Sequence, residues 1–175
     1  VEAMADVEQD ARVILIGKRG EAADFAKGHL GSNLERIVRA AHRPVFVASR
    51  AFKPVKKVLV AYDGGRSAMK AVDHISRSPL FQGLAITVVT VGADTPDARK
   101  GLDNAHAMLT AAGLDVDTRI LGGQPDAELG KLVDDQGYGL LVMGAYGHSR
   151  IRSLVIGSTT TEMVRSCKVP VLLMR

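Results

Sequence analysis

The clearest pattern of apolar and polar positions lies between residues 57 and 175, where short apolar runs alternate with longer amphipathic segments. Lys57-Val58-Leu59-Val60-Ala61-Tyr62 has the composition of a buried strand and ends in an Asp63-Gly64-Gly65 turn. Ser67 to Arg77 reads as a helix, with Ala68, Ala71, Val72 and Ile75 on one face. Leu84 to Val91 is a second strand, rich in β-branched residues. Asp97 to Ala112 is a helix, opened by Asp97 as N-cap and closed by Gly113. Leu114 to Leu121 is a third, partly alternating strand. Asp126 to Asp135 is a helix after Gln124-Pro125, with Asp126 near its positive end. Leu140 to Met143 is the fourth strand and Val169 to Met174 the fifth. Continuous apolar strands in the order β-α-β-α-β-α-β-α-β predict an α/β fold: an open five-stranded parallel sheet with helices on both faces.

The first part of the chain repeats the end of this pattern. Val13-Ile14-Leu15-Ile16-Gly17-Lys18-Arg19-Gly20 matches Leu140-Leu141-Val142-Met143-Gly144-Ala145-Tyr146-Gly147. Each is an apolar run closing on Gly-x-x-Gly. Gly31-Ser32 then corresponds to Gly157-Ser158, the helical pattern Leu34–Arg39 to Thr160–Arg165, and Pro44-Val45-Phe46-Val47 to Pro170-Val171-Leu172-Leu173. By this register Val1 to Gln9 is the end of the helix preceding Val13. Residues 1–50 therefore read as an N-terminal half repeat, the back half of a first domain. Residues 51–56 read as a linker and 57–175 as a complete domain.

Composition narrows the function classes. Apolar residues make up 46% of the 175 residues, enough for a real interior. Aromatics are 4%, with no Trp, which argues against stacking platforms for single-stranded nucleic acid. The net charge of +4 is scattered among acids rather than gathered in Lys/Arg runs, so no nucleic-acid partner is expected. Cys167 is the lone cysteine and has no disulfide partner, which fits a reducing compartment. No apolar run approaches the roughly 18 residues of a membrane span, and acidic Val1 to Asp10 has no signal-peptide core. A cytoplasmic location is expected, with no membrane contact.

The most informative chemistry is Gly144-x-x-Gly147, nine residues, then Gly157-Ser158-Thr159. It starts at the carboxyl edge of a parallel strand and ends where a helix opens. Glycines there permit turns and close ligand approach, and the helix N-terminus with its hydroxyls is an anion site. Ligands of open α/β sheets sit beyond the carboxyl ends of the strands, where Ala61-Tyr62-Asp63 also lies. Asp63 is a candidate for a ribose or for a metal on phosphates. The same residues also fit plain structure, with the glycines as turns, Ser158-Thr159 as an N-cap and Asp-Gly-Gly as an ordinary turn. There is no Walker loop and no Gly-x-Gly-x-x-Gly after the first strand. Ser67, Asp73 and His74 do not form a hydrolase set, because Asp73 and His74 are adjacent on a helix and point apart.

Successive blocks resemble the universal stress protein family: Lys57–Gly64, Ile86–Val91, Gly122-Gly123-Gln124-Pro125, Leu141–Gly147, Val155–Thr160 and Val169–Leu173. The resemblance covers residues 56–175 in full and 1–50 as a half domain. The glycine spacing is that of the family's ATP-binding branch. The resemblance implies an adenine-nucleotide α-hydrolase-like (HUP) sheet that binds ATP, with Mg²⁺, as a regulatory ligand in a stress response. It places Ala61, Tyr62 and Asp63 beside the adenosine, Asp63 also near the Mg²⁺ of Mg-ATP, and the Val91 backbone at adenine. Met143 and Gly144 border ribose and phosphates, and Gly147, Gly157, Ser158 and Thr159 hold the phosphates. His148 stands where an Arg is common in the family, either at a phosphate or in a solvent-facing turn. The half repeat is not expected to hold nucleotide: Asn33 replaces the hydroxyl, and Glu21 and Asp24 would repel phosphates. The family's pairing of last strands implies that Val45-Phe46-Val47 pairs with Val171-Leu172-Leu173, or that two copies form a homodimer. Two other readings remain: a slow ATPase or self-phosphorylating protein accepting on Ser158, Thr159 or Thr160, and an interaction scaffold without nucleotide. No catalytic residue is assigned. Cys167 is expected to be buried and inert.

Overall fold

The computed structural model describes residues 8, 10–17, 32–145 and 156–175, without the side chains of residues 32 and 33. The first strands are β1 (Ile14–Gly17), β2 (Val45–Ala48), β3 (Lys57–Ala61) and β4 (Ala85–Val91). The others are β5 (Asp115–Leu121), β6 (Leu140–Gly144) and β7 (Val171–Met174). The helices are α1 (Ser32–Ala40), α2 (Arg66–Arg77), α3 (Pro96–Ala111), α4 (Pro125–Gln136) and α5 (Ser158–Ser166). One sheet runs β1-β2-β7-β6-β3-β4-β5. Every neighbouring pair is parallel except β2 with β7.

The expected five strands are thus seven, because β1 and β2 continue the same sheet. A five-stranded sheet would end on β7 and leave its backbone groups without partners. β2 fills that edge in antiparallel register, with Val45 opposite Leu173, Phe46 opposite Leu172 and Val47 opposite Val171. This is the pairing expected from the sequence. With β6 on one side and β2 on the other, β7 has no edge left for a second copy of the chain.

Period-two alternation splits the core into two layers. Leu59, Val89, Leu141, Met143, Val171 and Leu173 face α1, α4 and α5. Val58, Val60, Val88, Val142 and Leu172 face α2 and α3. Local chemistry sets the helix ends. α3 starts at Pro96, with Thr95 rather than Asp97 as N-cap: the Ala98 N–H donates to Thr95 Oγ1 at 3.1 Å. Pro suits that first position because its missing N–H would have had no intrahelical acceptor. α4 likewise opens on Pro125 and closes on Gly137, whose φ of 69° favours glycine. Cys167 is buried, as expected.

Glu8 ties the start of the chain to the turn between α1 and β2. Its carboxylate accepts the backbone N–H groups of His42 and, at 2.6 Å, Arg43. Burial pushes the Glu8 pKa up, but these backbone donors and the neighbouring His42 outweigh it and hold it below the ordinary 4.5. A carboxylate with a lowered folded pKa stabilises the fold above its unfolded value and loses that contribution as pH falls through the folded one. Urea unfolding as a function of pH tests this. Glu8→Gln is expected to cost about 1.5–3 kcal/mol at neutral pH, with the difference from the parent closing below the ordinary carboxylate range.

Candidate functional site

β3, β4 and β6 end close together: Ala61, the last residue of β3, lies opposite both Val89 and Met143, and β4 and β6 run on to Val91 and Gly144. Beyond their carboxyl ends lies a cleft of about 480 Å³. Its floor is apolar: Val89, Val91, Leu129, Met143 and Ile156. Asp63 and the start of α5 give it polar walls.

The start of α5 is built by contacts to the end of β6. The Gly157 N–H donates to Ala145 O at 3.3 Å, and the Thr160 hydroxyl donates to Gly144 O at 3.1 Å. Gly157 is the N-cap, and among the described residues no side chain caps the helix. Ser158-Thr159 is therefore not the N-cap, and the Gly157 N–H is already engaged. The amides of Ser158, Thr159 and Thr160 follow in the first turn, where N–H groups have no intrahelical acceptor. They open on the cleft with the positive end of the helix dipole behind them. Ser158 is exposed, while Thr160 is buried with its hydroxyl directed to β6.

Gly144 is glycine for a packing reason. It ends β6, and a Cβ there would sit 2.5 Å from Ser67 Oγ and 3.1 Å from the Ala68 backbone nitrogen. The close contact is with the start of α2, not with a turn. Across the strands, the Tyr62 N–H donates to Val89 O and the Thr90 hydroxyl to Tyr62 O, both at 2.8 Å. The Tyr62 ring packs on the opposite face of the sheet, where a Cβ on Gly101 would lie 3.1 Å from it. Tyr62 therefore lines the cleft next to its backbone. Burial, then the charge of Asp63, raises the phenol pKa, so it stays protonated. Asp63 Oδ1 accepts the Gly65 N–H at 2.8 Å, an Asx turn that fixes the carboxylate at the cleft mouth.

Nine sequence-derived candidates thus meet at one cleft: Ala61, Tyr62, Asp63, Val91, Met143, Gly144, Gly157, Ser158 and Thr159. Gly147 and His148 lie outside the described residues, as do Gly20, Glu21, Asp24 and Gly31 of the first repeat. Sequence reading missed Val89, Leu129 and Ile156. Val89 was readable as the position two before Val91 on the same strand face, and Leu129 as one helical turn after Pro125. His74 packs edge-on against Phe81, and Asp73 accepts from Arg77. Among the described residues no cluster of His, Cys, Asp and Glu could hold a metal by itself, and no helix is long and apolar enough to cross a membrane.

Residues 93–175 match the model of the universal stress protein family. A universal stress protein of Synechocystis is 41% identical along the whole of this chain. These matches support the universal stress protein family. The chain spans 62% of that relative, and 65% of a universal stress protein of Mycobacterium tuberculosis that is 27% identical along the whole of this chain. Among solved structures, a universal stress protein from Archaeoglobus fulgidus superposes with a TM-score of 0.76 over 99% of this chain and 64% of its own, at 23% identity. A universal stress protein solved in complex with cAMP superposes with a TM-score of 0.59 over 70% of this chain and 98% of its own, at 27% identity. The mostly parallel, helix-flanked sheet is therefore the universal stress protein fold.

Proposed function

We propose that the cleft binds an adenine nucleotide, ATP with Mg²⁺, as a regulatory or signalling ligand of a cytoplasmic stress-response protein. The observation that carries this reading is the placement of α5: its first turn lines the same cleft as the apolar residues at the carboxyl ends of β3, β4 and β6. An apolar floor suits a planar base, and a helix N-terminus suits a phosphate. The related universal stress protein in complex with cAMP supports an adenine nucleotide. On this reading the Val91 backbone meets the base, Met143 and Gly144 border the ribose and phosphates, and Asp63 accepts from the ribose. Ser158 and Thr159 bind phosphate, and Gly147 and His148 belong to the same phosphate loop.

The donor set fits Mg²⁺ only as a companion of the nucleotide. Asp63 is the one acidic side chain lining the cleft among the described residues, and Mg²⁺ binds through one or two carboxylates plus phosphates and water. The metal would neutralise phosphate charge beside that carboxylate, and Asp63 would orient it.

Isothermal titration with Mg-ATP, repeated with EDTA and with cAMP, tests the proposal. One saturable site, weakened at least about tenfold when Mg²⁺ is withdrawn from ATP but not from cAMP, is the expected result. No heat and no thermal shift with either nucleotide at millimolar concentration would leave an interaction scaffold instead. Phosphate release under the same conditions separates a binding module from a slow ATPase.

A further inference from the structure

Among the described residues, the lining of the cleft holds one carboxylate, Asp63, and no Lys or Arg. A triphosphate seated there brings several negative charges. The start of α5 offers it only the partial positive charge of a helix end. A cation reaching in from beside the lining would therefore influence how many phosphates the cleft accepts.

Arg66 stands where such a cation is needed. It is the first residue of α2, three positions after Asp63, and it is exposed. α2 follows β3 and so begins at the carboxyl end of the sheet, where the cleft lies. Helical side chains lean toward the N-terminus of their helix, which for Arg66 is toward that end. Two contacts fix its place. The Asp63 carboxylate accepts the Gly65 N–H at 2.8 Å and ties the entry of the helix to the cleft mouth. The residues after Arg66 press on the end of β6: a Cβ on Gly144 would lie 2.5 Å from Ser67 Oγ and 3.1 Å from the Ala68 nitrogen. By backbone bond lengths the Arg66 Cα is then within about 9 Å of that point. An extended arginine spans roughly 7 Å from Cα to its guanidinium nitrogens, at about 1.5 Å a bond. That length carries the guanidinium to a phosphate beside Gly144, which itself lines the cleft. The helix gives no reason of its own for the arginine. A cation in the first turn opposes the helix dipole, and α2 has no acidic residue there to offset it. Arg77 at the other end of α2 pairs with Asp73, whereas among the described residues the Arg66 guanidinium has no such partner.

We propose that Arg66 binds the outer phosphates of the nucleotide and makes the cleft select a di- or triphosphate over a single or cyclic phosphate; this rests on the nucleotide reading above. The first turn of α5 takes the phosphate next to the ribose. Arg66 meets the charge beyond it with the planar fork of donors that suits phosphate oxygens. ATP gains that contact. AMP and cAMP, with no phosphate beyond the first, do not.

Titration calorimetry of the parent chain, Arg66→Gln, Arg66→Lys and Lys70→Gln with Mg-ATP, AMP and cAMP tests this. Lys70→Gln removes an exposed cation one turn further along α2. Arg66→Gln is expected to weaken Mg-ATP at least about tenfold, and AMP and cAMP less than about twofold. Arg66→Lys should keep part of the ATP affinity, because it retains the charge and loses the fork. Lys70→Gln should keep all of it. Without nucleotide, the Tm of Arg66→Gln should stay level or rise, since a cation leaves the first turn; that separates a lost contact from lost folding. Equal losses for ATP, AMP and cAMP, or no loss for ATP, would overturn the proposal and leave the nucleotide reading standing. So would an equal loss of ATP affinity in Lys70→Gln, which would assign the effect to general surface charge. A parent chain that binds none of the three would overturn both.

Discussion

Gly144→Ala is expected to lower the stability of the fold by about 1–3 kcal/mol, the usual cost of overpacking a dense interior. The added methyl would meet Ser67 Oγ at 2.5 Å, Ser67 Cβ at 3.0 Å and the Ala68 backbone nitrogen at 3.1 Å. The first of these atoms belongs to a short side chain, but the last is backbone at the first turn of α2. Relief therefore requires α2 to move away from β6, and α2 holds Ala68, Ala71, Val72 and Ile75 in the core. For a chain of this size each kcal/mol lowers Tm by roughly 2–4 °C. Ser67→Ala in the same protein removes the nearest atom but not the backbone contact, so it should restore part of the loss. Complete restoration would mean that the side chain alone sets the spacing. No loss in the single variant would mean that the approach of α2 to β6 is not close. Gly144→Val should cost more than Gly144→Ala, because its extra methyls meet the same first turn.

How much of this was legible beforehand depends on where the information lies. The strands of residues 57–175 are apolar on both faces and flanked by turn residues, so their order and parallel sense follow from pattern alone. Part of the cleft's lining follows from the same pattern, since Ala61, Val91 and Met143 lie at or next to strand ends, whereas Leu129 and Ile156 come from outside the strands. The internal repeat made Val45-Phe46-Val47 the counterpart of Val171-Leu172-Leu173, and the resemblance to the universal stress protein family implied that the two pair. The antiparallel sense of that pairing was not readable, because it depends on how the linker turns the chain and not on either strand's composition. Nor was the reason for Gly144. A glycine at a strand end reads as a turn or a ligand contact, whereas the atoms that crowd it come from a helix more than seventy positions away in sequence. Thr95 displaced Asp97 as the N-cap of α3 because Pro96 occupies the first helical position, a signal present in the sequence and outweighed by the acidic residue.

Ser158→Glu is expected to weaken Mg-ATP binding at least about a hundredfold, near 2.7 kcal/mol. Ser158 is the first residue of α5, exposed at the cleft wall. A carboxylate there faces the same amides as a phosphate would, and like charges about 4 Å apart at a protein surface oppose each other by roughly 4 kcal/mol. The substitution does not weaken the helix. An acidic side chain in the first turn stabilises it by about 0.3–1 kcal/mol, so Tm without nucleotide should stay level or rise. Ser158→Gln separates charge from size: it has nearly the same volume and no charge, and should cost binding only about tenfold or less. The gap between the two variants should narrow as salt is raised, since screening weakens the repulsion at an exposed position. Equal losses in Glu and Gln variants would make the wall a steric boundary rather than an anion site. Full binding in both would move the phosphates away from α5, and with them the reading of its first turn as their seat.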